Sequence, residues 1–153
     1  MAHCVTGLIA TTALLETFAR GHALHAPIRL SQDWGLLPLR DTDLDKFLMA
    51  PLTGYAEGFT YLSEQLIREL KIGSSSGSLL YFETDYFGGR GAQGAAVFRE
   101  GQLVFARQSA TFGPINEALA ILGTRVIPPA RDEFETVGLH RHRHTEDWLT
   151  PDA

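Results

Sequence analysis

Apolar residues follow two rhythms along this chain, and the change from one to the other marks its elements. Cys4 to Ala10 is a short apolar run with β-branched members, which predicts a strand. Thr11 and Thr12 then offer cap oxygens to a helical stretch, ALLETFAR, that ends at Gly21. The segment IRLSQDWGLLPL has extended character, and Pro27 and Pro38 break it into one or two strands. Thr42-x-x-Asp45 sets a capping-box start for a short helix that closes before Pro51. Leu62, Leu66 and Leu70 recur at i+4 with Phe59 on the same side, predicting a helix from about Phe59 to Leu70, with Gly73 as its stop.

From Leu79 the period becomes two. LLYFETDYF, GAAVFRE and QLVFARQ read as three consecutive antiparallel strands, the last two joined across Arg99-Glu100-Gly101. GPINEALAILG has Pro near its first turn and Gly just past its end, the asymmetry of a helix. The predicted fold is α+β: an antiparallel β-meander packed against several helices, mainly on one face, as a two-layer domain. Residues 1–153 are read as a single domain, with an irregular C-terminal tail over 127–153.

Length and composition agree with folding as an ordinary globular protein. The chain has 153 residues, 44% of them hydrophobic and 20% charged, so it can bury a core without staples. Cys4 is the one cysteine, which excludes an intrachain disulfide and points to a reducing, cytoplasmic setting. Its apolar surroundings disfavour a thiolate, and so a nucleophilic role. The apolar N-terminus lacks a basic region and is interrupted at Glu16, so neither a signal peptide nor a membrane span is expected. The net charge of −5 argues against a nucleic-acid coat and for a basic partner.

The stretch Gly89-Arg90-Gly91-Ala92-Gln93-Gly94 spells G-x-G-x-x-G. A dinucleotide loop works by leading from a strand into a helix whose N-terminus meets the pyrophosphate. Here a strand pattern follows the glycines, and no P-loop Lys-Ser or Lys-Thr does, so the segment reads as a hairpin loop. Arg90 and Gln93 at its tip are candidates for contact with a partner or an anion.

In the preceding strand a period of two sets Tyr81, Glu83, Asp85 and Phe87 against Leu80, Phe82, Thr84 and Tyr86, and the second face has the look of core. Glu83 and Asp85 are then exposed to solvent, available to a partner or a hard cation, or placed to raise each other's pKa. His140, His142, His144 and Glu146 alternate strictly, so an extended segment would point all four one way. Such a row offers ligands to a divalent transition metal, and with it a small metal-dependent enzyme; equally it is a basic tail packed on the acids. No Gly-x-Ser-x-Gly, His-Glu-x-x-His or comparable constellation is present, which favours a binding module over an enzyme, with no cofactor. A homodimer through an edge strand of the meander is compatible with either reading.

With Glu83 to Gly89, Gln93, GPINEALAILG and DEFETVGLHRHRHTEDWL in view, Leu79 to Leu149 resembles small bacterial single-domain proteins, some of them similar to immunity proteins of polymorphic toxin systems. The resemblance implies a cytoplasmic inhibitor that binds and blocks one cognate toxin domain without a cofactor. The charges implied to meet such a partner are Glu83, Asp85, Glu100, Asp132, Glu133 and Glu135, with Arg90 and Gln93 at the hairpin tip.

Overall fold

A computed structural model describes residues 3–87, 90–111 and 113–149. Its strands are β1 (Thr6–Thr11), β2 (Ile28–Arg29), β3 (Trp34–Pro38), β4 (Ser78–Phe87), β5 (Arg90–Arg99) and β6 (Gln102–Ser109). Its helices are α1 (Thr12–Gly21), α2 (Asp41–Phe47), α3 (Glu64–Gly73), α4 (Pro114–Leu122), α5 (Glu133–Val137) and α6 (Thr145–Leu149). The strands form one open antiparallel sheet in the order β2-β3-β1-β4-β5-β6, so the fold is α+β, as the patterning predicts. None of the helices is long and apolar enough to cross a membrane among the described residues.

Local chemistry explains most of the boundaries. The Thr11 hydroxyl accepts the Leu14 N–H at the start of α1, and the Ser63 hydroxyl accepts the Leu66 N–H at the start of α3. That second cap starts α3 at Glu64, so Phe59 precedes the helix that the sequence pattern extends back to it. At α2 the reciprocal cap joins Arg40 and Asp43, two residues before the Thr42/Asp45 pair expected to form it. Pro114 opens α4, and Gly123 closes it with a left-handed φ of 109°.

Both faces of the sheet are covered, which adds a layer to the two expected. Leu79, Tyr81, Ala96 and Phe98 share one buried cluster with side chains of α1, α2 and α3 and with Phe59 and Leu62 of the 48–63 segment. Their strand neighbours Leu80, Phe82, Ala95 and Val97 enter a second cluster with α4, α5 and α6. Alternation therefore feeds two cores from the same strands, and the Tyr81 face is core as much as the Phe82 face. The tail expected to be irregular supplies α5 and α6 to the second core through Val137 and Trp148.

The meander begins earlier than its glycines suggest. β5 starts at Arg90, so Gly91 and Gly94 are strand residues and pair with Tyr86 and Glu83. Gly94 is small because the Phe59 ring lies on it: a Cβ there would come within 2.6 Å of Phe59 Cε2. Gly91 has φ 148°, and a Cβ would collide with the Asp85 carbonyl oxygen. Gly89, the first glycine of the G-x-G-x-x-G string, lies outside the described residues.

Candidate partner-binding cleft

At one end of the sheet the first core opens into a cleft of about 690 Å³. Its floor comes from β1, β4 and β5 through Thr6, Glu83, Asp85 and Ala92. Arg40 and Asp41 at the start of α2 form one wall, Thr60 and Tyr61 another, and His144 to Glu146 a third. Six separate stretches of chain thus meet around one opening.

Glu83 holds the cleft together. It is 7% exposed, and its Oε1 accepts the Thr60 N–H at 2.8 Å. Oε2 accepts the Tyr61 N–H at 2.8 Å and the Tyr81 hydroxyl at 2.5 Å. One carboxylate therefore ties the 48–63 segment to the sheet with hydrogen bonds of the stronger, charge-assisted kind. Glu83 does not face solvent as its strand pattern predicts: the 48–63 segment covers it and supplies the donors that let it stay buried. Burial, and next the Glu83 charge, push the Tyr81 phenol well above its ordinary pKa.

Asp85 stays exposed on the same side and receives the Cys4 thiol at 3.6 Å. Burial and then the Asp85 carboxylate raise the Cys4 thiol, so a thiolate is disfavoured there. The Tyr61 phenol is likewise raised, first by burial and then by Asp41, Glu83 and Asp85. Arg40 is committed to the buried Asp43 through Nε at 2.9 Å and Nη2 at 3.0 Å. Burial pushes the Asp43 carboxyl up, but the Arg40 guanidinium and backbone outweigh it and hold the pKa below its ordinary value. Four carboxylates, those of Asp41, Glu83, Asp85 and Glu146, thus line the cleft with one guanidinium that already has its counter-ion.

No family model, curated protein or solved structure matches this chain.

Of the residues singled out in the sequence, Glu83, Asp85, His144 and Glu146 line the cleft, Gln93 borders it with its side chain committed to α4, and the others are placed elsewhere. Gln93 is 4% exposed in mid-strand, not raised on a tip. Its Oε1 accepts the Ile115 N–H at 2.9 Å in the first turn of α4, and its Nε2 donates to the Tyr86 hydroxyl at 3.1 Å. The reason is the strand pleat: position 93 shares its face with Ala95 and Val97, toward α4. Arg90 is exposed at the start of β5, and Glu100 is exposed in the turn beyond the other end of that strand.

The acids of the tail belong to α5. Asp132 caps it by accepting the Glu135 N–H at 2.9 Å, and Glu135 pairs with Arg131 at 2.6 Å. Glu133 sits in the first turn of the same helix. None of the three lines the cleft.

The histidine row does not form an extended ladder. Gly138, with φ 94°, turns the chain into a short 3-10 segment, Leu139–Arg141, so His140 is helical. The His142 ring lies 4.6 Å from the Trp148 ring, whereas His144 lines the cleft and bridges to Cys4. Among the described residues no group of three or more His, Cys, Asp or Glu is arranged to hold a metal ion.

Thr6, Asp41 and Tyr61 carry no motif in the sequence; the β1–β4 register, the pairing of β3 with β1 ahead of α2, and the path of the 48–63 segment bring them to one cleft with Asp85. Glu146 has a trace of one, its place at the end of the alternating row.

Proposed function

We propose that this chain is a cytoplasmic protein-binding module, an immunity-like inhibitor that neutralises a cognate basic toxin domain by seating it on the cleft. The observation that carries this reading is the charge of the opening: four carboxylates around a guanidinium already bound to Asp43. A net charge of −5 extends the same sign over the whole chain and favours fast, oriented encounter with a basic partner. Inhibition by binding requires no nucleophile or cofactor, and it uses Asp41 and Asp85 as contacts while Glu83 keeps the wall in place.

The test is a bait experiment in extract of the producing cell, with wild-type chain and a D41K/D85K variant side by side. Wild type retains one basic protein in stoichiometric amount, the variant loses it, and co-expressed wild type relieves the growth arrest that this protein causes. Retention of the same proteins by both baits, or growth arrest that persists, rejects the proposal.

A further inference from the structure

A second feature of the cleft concerns what enters it. Thr6 points from β1 to the cleft side of the sheet, opposite Glu83 in the register, and is 7% exposed. Its backbone N–H donates to the Thr145 hydroxyl and its carbonyl accepts the Leu39 N–H. Its own hydroxyl makes no hydrogen bond among the described residues. The hydroxyl opens on the cleft, where a donor of the occupant can reach Thr6 Oγ1 in place of water. Glu83, its cross-strand neighbour, already has an acceptor role at each oxygen and is not placed to help.

We infer that the cleft receives one arginine side chain of the partner, its guanidinium set between Asp41 and Asp85 against the Tyr61 ring, with one N–H directed to Thr6 Oγ1. This rests on the reading of the cleft as a protein-binding site. The carboxylates surround one opening without forming a metal-ion cluster among the described residues, so they suit a cation whose charge and donors are spread over several atoms. A guanidinium has five N–H donors in a planar fork and stacks on aromatic rings, whereas an ammonium is a compact point charge. Tyr61 is 38% exposed and supplies such a ring at the wall. Its phenol stays protonated because of its raised pKa and adds no further charge. The volume of about 690 Å³ lies within the roughly 300–1,000 Å³ of small-ligand sites, sufficient for a long side chain and its adjoining backbone.

The inference is tested without any partner protein, by following backbone amide resonances of the whole chain during titration with N-acetyl-arginine methylamide. Saturable shifts are expected at Thr6, Asp85, Ala92 and Thr145, with Kd on the order of 1 mM for a ligand of that size. The capped lysine analogue binds several-fold more weakly. Asp85→Asn weakens the arginine probe by about tenfold, and the near-isosteric Thr6→Val weakens it by about threefold, both with an unchanged thermal midpoint. Shifts scattered over the surface, equal binding of the two analogues, or full affinity in Asp85→Asn overturns the inference. Tighter binding of free arginine than of the capped form also overturns it, by assigning the cleft to an amino acid instead of a protein side chain. A failed titration beside a successful bait experiment removes the arginine assignment and leaves the protein-binding reading standing.

Discussion

At the same end of the β4–β5 hairpin, two faces carry buried polar side chains and treat them differently. Toward α4–α6, Thr84 receives the Val5 N–H and bonds His3, while Gln93 joins Tyr86 to the first turn of α4. Their polar atoms all serve the fold. Toward α1–α3, Glu83 is likewise used inside the fold, but Asp85 is exposed and the Thr6 hydroxyl opens on the cleft. The difference follows from how each face is closed: regular helices on one side, an irregular segment that stops short of the strand ends on the other. Polar residues in a strand therefore mark a site only where the covering layer leaves room for something else.

The two faces differ most at Glu83. Glu83→Ala leaves two backbone N–H groups and the Tyr81 hydroxyl without their acceptor, and urea unfolding is expected to show a loss of about 3 kcal/mol. Glu83→Gln keeps an acceptor oxygen and loses less. On the closed face, Gln93→Ala removes a helix-end acceptor and one side-chain bond, an expected loss of about 1–2 kcal/mol by the same measurement. It leaves the arginine titration unchanged, because the Gln93 side chain faces α4. Equal losses at the two positions would erase the contrast between a carboxylate that fastens a whole segment and an amide that caps one helix.

The smallest expected effect is a pH dependence on the closed face. Burial lowers the His3 pKa from its ordinary 6.5; the Leu139 carbonyl opposes this, and His144 and Arg143 add to it. The unfolded chain then binds the proton more readily, so His3 favours folding fully above pH 6.5, and that contribution is lost as the pH falls through the depressed folded value. The thermal midpoint of wild type should drop between about pH 7.5 and about pH 5, and His3→Gln should drop less over the same interval. An identical drop in both proteins assigns the acid sensitivity to other groups.

Much of this architecture could be read from periodicity, because β4, β5, β6, α1 and α4 each carry an unbroken pattern with a clear stop. The site was only half legible. Glu83 and Asp85 stand out as acids in an apolar strand, but nothing local reports that the 48–63 segment folds over one and leaves the other exposed. Gly91 and Gly94 looked like a loop because their cause is tertiary, a ring and a neighbouring carbonyl lying against the backbone. The histidine alternation misled for a similar reason: a left-handed Gly138 and the pairing of Cys4 with His144 decide that segment's path. Long-range pairing overrode a local pattern in each case.

Gly94 beneath Phe59 has a consequence for how the cleft can diversify. A position where even a methyl group collides with a buried ring has almost no accessible sequence space, and Glu83, with three donors upon it, has little more. Asp41 and Asp85 are exposed and bear few packing constraints, so substitutions there are nearly neutral for folding. On the proposed function, a lineage could exchange one partner for another by changing Asp41 and Asp85 alone, while Glu83 and Gly94 are inherited intact.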